Sequence, residues 1–285
     1  MATLRCAAGK SHIVTCCSPW KNRTFATDGV GLVSKRRVQG KRFKLQMQWS
    51  LFAFLSFLSA LFIAWHTLAK VDFFYPLWYE MIGIERTIAE YGPQNRYKRH
   101  FESTSEAERI GLFSDIVTAI HAGGRGLDAL AYHDADGRVI DRLLTGPEIV
   151  HLQDVARLIE YLQTIGWVAL AGWGMLLGLA IKRGWRVPSV KGSLLRLLAI
   201  LVSMGLLIVA IGPVRVFYLL HDWVFPSGHQ WFFYYQESLM TTMMKAPDLF
   251  GYIAVVLLGL SVLIFSALIL LARALMLRCA KANFR

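Results

Sequence analysis

The stretch WSLFAFLSFLSALFIAWHTLA, residues 49–69, decides the fold class. It contains no Lys, Arg, Asp or Glu, and His66 is its one titratable side chain. A helix of this length matches a hydrocarbon core about 30 Å thick. Lipid offers no partner for backbone N–H and C=O groups, which excludes isolated strands. The stretch therefore predicts a transmembrane helix.

Three further apolar stretches predict three more spans, at 162–181, 197–217 and 252–271. The whole chain is 55% hydrophobic with a mean hydropathy of +0.43, too apolar for an ordinary soluble domain. The predicted fold class is an all-α polytopic membrane protein with four transmembrane helices. Its membrane domain covers residues 45–277 and includes two connections, 70–160 and 218–250.

The charges predict the orientation. Residues 1–44 hold ten Lys or Arg against one acid, residues 182–196 hold five against none, and residues 273–285 hold four against none. Connection 70–160 has fifteen acidic against ten basic residues. The positive-inside rule then places both termini in the cytoplasm and the two acidic connections outside. The net charge of +12 thus reflects membrane topology, and its basic residues also attract anionic lipid head groups. Because these residues are split among three membrane-flanking segments, no nucleic-acid partner is predicted.

The two ends are predicted to be cytoplasmic tails, 1–44 and 278–285. The first is basic and turn-rich without a clear helical period, which indicates disorder, and no apolar core precedes Trp49 as a signal peptide would need. Met47, directly before the first span, is an alternative start. The four cysteines all lie on the predicted cytoplasmic side, so no disulfide is expected.

The connections carry local signals of structure. Residues 105–119 have apolar residues at helical spacing, which predicts an amphipathic helix on the membrane surface or on other outer segments. The turn 134–137 favours a small hairpin. Thr145 with Glu148 three residues later predicts a capping box that starts the helix of the second span. Residues 238–245 are methionine-rich and predict an apolar helix bordering lipid tails.

Within the spans, Gly172, Gly174 and Gly178 form a stripe of small residues that favours close helix packing. Pro213 predicts a kink in the third span. The aromatic segment 224–250 that follows it predicts a re-entrant or interfacial cap over the bundle.

Six polar residues gather at the predicted outer face: His151, Asp154, Arg215, His221, Asp222 and His229. His151 and Asp154 are three residues apart, so their side chains can meet on one helix face. Residues 226–229 read PSGH, the middle signature of type-2 phosphatidic acid phosphatases. The chain has no Arg-Pro or Ser-Arg dipeptide and no histidine after His229, so the other two signatures of that superfamily are missing. A zinc site is also disfavoured, since no HExxH is present and His221 and His229 lie eight residues apart in a Pro/Gly loop.

Two motifs support a third interpretation. EIVHLQDV, residues 148–155, and HDWVFPSGHQWFF, residues 221–233, continuing to APDLF at 246–250, resemble the patterns of the lipoprotein intramolecular transacylase (Lit) family. That family consists of four-helix bacterial integral membrane proteins. The number of spans and the loop sizes also agree, over residues 49–277. The family's two functional histidines would correspond to His151 and His221, while His229 lies outside the pattern.

The resemblance implies a reaction and its partners. An acyl chain would move from the diacylglyceryl ester to the N-terminal cysteine amine of a lipoprotein, in the bacterial inner membrane and on its outer side, among phospholipid. Ester to amide is downhill, so no cofactor or metal is expected. The α-amine has a pKa of about 8, and one neutral-range base suffices.

The expected roles follow from this chemistry. His221 would be the general base, and His151, oriented by Asp154, would stabilise the oxyanion or protonate the leaving oxygen. The two histidine roles are interchangeable at this stage, and Arg215 and Asp222 are supporting candidates. The alternative is a non-catalytic membrane scaffold or lipid-binding protein. The distance between His151 and His221 distinguishes the acyltransferase from this alternative, because acyl transfer requires the two histidines to lie within about 10 Å of each other.

Overall fold

The computed structural model describes residues 28–185 and 188–282, with side chains over 46–185 and 188–281. Residues 28–47 belong to one compact unit, and the described residues from Gln48 belong to another. The α-helices within the described residues are α1 (Asp28–Ala69), α2 (Tyr75–Met81), α3 (Ile84–Tyr91), α4 (Glu106–His121), α5 (Gly146–Lys182), α6 (Val190–Ile211), α7 (Pro213–Val224), α8 (Leu239–Met244) and α9 (Asp248–Ala282). Strands β1 (Ala131–His133) and β2 (Val139–Arg142) pair antiparallel.

Four helices are long and apolar enough to cross a membrane: Gln46–Ala69, Gly146–Lys182, Val190–Ile211 and Asp248–Lys281. The all-α class with four spans is therefore confirmed, and the chain is an integral membrane protein. The helices extend beyond the predicted spans because polar turns continue them past the apolar core. The predicted tail 1–44 overlaps α1 from Asp28, and its first 27 residues lie outside the described part, as do Cys6, Cys16 and Cys17.

The third span differs from its prediction. Gly212, with φ +100°, separates α6 from α7, and Pro213 starts the new helix. A proline suits a first helical turn because its missing N–H has no partner to lose there. The predicted kink is thus a complete break, and it gives the next twelve residues their own direction.

The connections fold onto one end of the bundle, called the loop face here, formed by residues 70–145 and 212–247. Its core includes the ring of Tyr75, stacked on Phe113 at 3.9 Å between centroids, and its hydroxyl donates to the Met243 carbonyl. The predicted amphipathic helix is α4, capped by Ser105, and it packs into this core. The predicted hairpin is β1–β2.

The methionine-rich segment behaves differently from its prediction. Met240, Met243 and Met244 of α8 are 6%, 0% and 6% exposed, so they pack inside the loop-face core and are not exposed to the surrounding bilayer. An apolar helix shows the same spacing of apolar residues whether it packs in a protein core or against lipid tails. Only the packing of α8 therefore distinguishes these two surroundings.

Close packing between α1 and α5 depends on Gly166. A Cβ there would lie 2.8 Å from the Phe62 Cβ and nearer still to ring atoms, so α1 and α5 could not keep their separation. A Cβ on Gly172 would lie 3.3 Å from Leu55, while Gly174 and Gly178 have open space. The predicted stripe was wrong for Gly174 and Gly178.

We therefore expect Gly166→Ala to destabilise the protein by about 1–3 kcal/mol through overpacking. Thermal unfolding of the detergent-solubilised protein measures this, with Gly174→Ala as the matched control that keeps the parent midpoint. Equal midpoints for the two variants would contradict the packing described here.

Candidate active site

Two histidines from different helices meet at the loop face. His151 lies in the second turn of α5 and His221 in the last turn of α7, and their ring centroids are 6.2 Å apart. This distance is within the 10 Å that acyl transfer requires. The expected approach of His151 to His221 is confirmed, and their chemical roles stay predictions.

The start of α5 positions His151. The Thr145 N–H and hydroxyl both donate to Glu148 Oε2, at 2.6 Å each, and Pro147 sits in the first turn. This cap fixes where the helix begins, as the sequence predicted. His151 then follows Glu148 by three residues, so it lies one turn further along the same side.

A backbone contact orients His221. Its Nδ1 lies 2.8 Å from the Phe217 carbonyl oxygen, four residues earlier in α7. A carbonyl only accepts, so Nδ1 carries the proton and Nε2 keeps its free lone pair. The local helix therefore presents the ring as a base through Nε2.

Aromatic side chains enclose the two imidazoles. Phe225 lies 4.9 Å from the ring centroid of His151 and 5.3 Å from that of His221. Trp231 lies 4.9 Å from His221, and Phe233 lies 6.2 Å from His151. Burial lowers the pKa of His221 below its usual 6.5, opposed in part by the Phe217 carbonyl and the Asp222 carboxylate. Burial therefore favours the neutral form of His221, which is the form that a general base requires.

The histidine pair borders a cavity of about 450 Å³. Its wall is mainly aliphatic and aromatic, with contributions from α1, α5, α7, α8 and the start of α9. A volume of this size is in the range of small-molecule sites. The combination of an apolar wall with two imidazoles suits a fatty acyl chain whose ester carbonyl lies at the histidines.

Asp154 has different partners from those predicted. Its Oδ1 accepts from Arg157 Nη2 at 2.6 Å, and its Oδ2 accepts from His229 Nδ1 at 2.5 Å. The expectation that Asp154 orients His151 is corrected, because the hydrogen bonds of Asp154 go to Arg157 and His229 and none joins it to His151. The three-residue spacing places Asp154 and His151 on one helix face. It carries no information about His229, which comes from the loop after α7 and binds Asp154 instead.

Asp222 and Arg215, the two remaining supporting candidates, lie at the exposed margin of the site. Asp222 is exposed and acts on His221 through its charge. Arg215 is exposed and six residues before His221, about 120° around α7 from it. Their supporting roles stay predictions. Among the residues that the structure describes, no group of three or more His, Cys, Asp or Glu could hold a metal ion.

Two residues beside the site make contacts that the sequence did not predict. His229 was placed outside the motif, yet it binds Asp154. Ser238 was read only as the start of an apolar helix, yet its hydroxyl donates to Glu148 Oε1 at 2.5 Å. Ser238 does carry an N-cap signal, since it accepts from the Thr241 N–H, but capping alone does not predict the long-range bond.

Residues 138–250, which hold both histidines and the segment between them, match the family model described as lipoprotein intramolecular transacylase Lit. This part of the chain is similar to the Lit family. This similarity supports an enzyme, a transferase, over a non-catalytic scaffold.

A solved structure extends this Lit resemblance to the fold. The in meso structure of the membrane integral lipoprotein intramolecular transacylase Lit from Bacillus cereus, a histidine-to-arginine variant, is 12% identical. The similarity covers 88% of this chain and 98% of that one, with a TM-score of 0.57. The two chains therefore share a fold. No curated protein matches the sequence.

The burial of His221 among aromatic side chains leads us to a prediction about its pKa. We expect His221 to titrate below pH 6.5, because burial opposes its charged form. Phe225→Ala should move this pKa upward by admitting water. Histidine-labelled protein in micelles, followed by NMR, measures both values, and His221→Gln assigns the resonance. A parent value at or above 6.5 would contradict the enclosure.

Proposed function

We propose that this chain moves one acyl chain within a diacylated lipoprotein, from a glycerol ester to the α-amine of the N-terminal cysteine. The contact between His151 and His221 in an apolar cavity carries the proposal. An apolar wall suits the lipid, and two imidazoles suit proton transfer to and from the reacting atoms.

The reaction balances without a further reactant. The neutral amine nitrogen attacks the ester carbonyl carbon, forming a C–N bond and a tetrahedral oxyanion. The nitrogen loses a proton to Nε2 of His221, whose Nδ1 is occupied by the Phe217 carbonyl. The C–O bond to glycerol then breaks, and its oxygen takes a proton. The products are an amide and a free hydroxyl on the same molecule.

His151 faces the same centre from α5. A ring N–H there stabilises the oxyanion or supplies the proton to the leaving oxygen. Because amine and ester belong to one substrate, alignment in the cavity accounts for much of the acceleration. The aromatic side chains around the rings keep water away from the ester, which would otherwise compete with the amine.

The charge pattern supports a location for this reaction. The basic segments 1–44, 182–196 and 273–285 favour the cytoplasm, which supports a loop face on the outer side of a bacterial inner membrane. A lipoprotein anchored in the outer leaflet then presents its diacylglyceryl group at the depth of the histidine pair. Phospholipid surrounds the four spans.

Loss of either histidine tests the proposal. We expect His221→Ala and His151→Ala to lower the rate of N-acyl product formation by about 10²–10⁴-fold, the contribution of a general acid or base. Mass spectrometry of lipoprotein N-termini, from cells that express each variant, measures the product. The control is His133→Ala, since His133 lies in strand β1 of the hairpin and pairs with Glu108.

The parent protein must form an N-acyl, O-deacylated lipoprotein in the same cells. Absence of this form from the parent, or its persistence at parent level in both histidine variants, would overturn the proposal. A loss in His133→Ala equal to that in His221→Ala would point to destabilisation of the loop face.

A further inference from the structure

Two buried carboxylates flank His151 along α5. Glu148 precedes it by three residues and Asp154 follows it by three, so each lies about one turn away and within about 60° of its direction. Glu148 is fully buried at 0% exposed, and Asp154 is 7% exposed. Buried carboxylates need hydrogen-bond donors, and their partners show what they hold.

Glu148 holds the segment that ends at Ser238. Its Oε2 is occupied by Thr145, and its Oε1 accepts from the Ser238 hydroxyl at 2.5 Å. Ser238 is also fully buried and caps α8. This bond joins residues 90 positions apart in the chain.

Asp154 holds the segment that begins at His229. The 2.5 Å bond from His229 Nδ1 joins residues 75 positions apart, and Arg157 satisfies the other carboxylate oxygen. Residues 229–238, called the strap here, are thus tied to α5 at both ends.

The strap covers the histidine pair. Between its two ties it places Trp231 on His221 and Phe233 on His151, and Phe233 is 7% exposed. Without its ties to α5 the strap keeps contacts near its Ser238 end, such as those of Arg96 with Gln236 and Glu237. The part that carries Trp231 and Phe233 then has many alternative conformations, which would expose both rings and the cavity.

We propose that Glu148 and Asp154 are positioning residues that act through Ser238 and His229, closing the strap over the histidine pair and excluding water. This inference rests on the proposed acyl transfer. The inference also explains the Glu-x-x-His-x-x-Asp spacing of α5. Glu148 and Asp154 hold the strap, and His151 between them acts on the substrate.

The chemical consequence is a change of product. With the strap untied, water reaches the ester carbonyl, its oxygen forms a bond to the carbonyl carbon, and the C–O bond to glycerol breaks. The products are a free fatty acid and a lyso-lipoprotein with an unmodified amine. Hydrolysis and transfer consume the same ester, so their ratio reports closure independently of how much protein is active.

The test uses the full-length protein in detergent with a synthetic diacylglyceryl-cysteine lipopeptide. His229→Ala and Ser238→Ala each remove one tie. We expect each to lower transfer about tenfold, the effect of losing one hydrogen bond to a charged group, with free fatty acid appearing in its place. Hydrogen–deuterium exchange of peptides from the strap should rise in both variants.

Conservative variants separate positioning from general damage. His229→Asn keeps a side-chain N–H near the position of Nδ1, and Ser238→Thr keeps the hydroxyl, so both should restore transfer and suppress fatty acid release. His133→Ala is the matched control, because it removes a histidine–carboxylate pair on the loop face away from the strap. It should keep the parent product ratio.

Each remaining outcome decides against the strap. Unchanged exchange, or faster exchange with the parent ratio of fatty acid to N-acyl product, overturns the inference, as does failure of both conservative variants. If the parent itself forms no N-acyl product, the proposed function fails, and exchange alone then tests the strap: no increase in His229→Ala and Ser238→Ala overturns it.

Discussion

The pairing of two buried α5 carboxylates with the loop after α7 is the constraint on which the loop face depends. A carboxylate removed from water costs several kcal/mol unless donors surround it. Glu148 and Asp154 meet this requirement with Thr145, Ser238, Arg157 and His229. The same bonds that stabilise the charges bring the aromatic segment over α5, so the electrostatics of one helix determine the cover of the cavity.

The break at Gly212 makes the second half of the site available. A continuous third span would carry residues 213–224 straight on from the membrane. The new helix that starts at Pro213 instead ends with His221 beside His151. Because the Phe217 carbonyl lies one turn earlier in α7, the same helix also determines which nitrogen of His221 is free. Helix α7 therefore determines both the position of His221 and its tautomer.

Much of this architecture could be predicted from local patterns. The apolar runs predicted the four spans, Thr145 and Glu148 predicted the start of α5, and the two histidines were selected by the resemblance to the Lit patterns. The predictions that were wrong share a cause. The burial of the α8 methionines, the open space at Gly174 and the partners of Asp154 depend on which element lies opposite, and periodicity within one helix carries no information about that.

Local sequence patterns predicted that the chain enters a membrane, how many times it crosses and where α5 starts. These properties depend on hydropathy, length and capping, which act within about twenty neighbouring residues. The bonds of His229 to Asp154 and of Ser238 to Glu148, across 75 and 90 residues of chain, are visible only in the folded protein. Such bonds form because the fold brings one buried donor and one buried acceptor together, and that meeting depends on the path of the whole loop face.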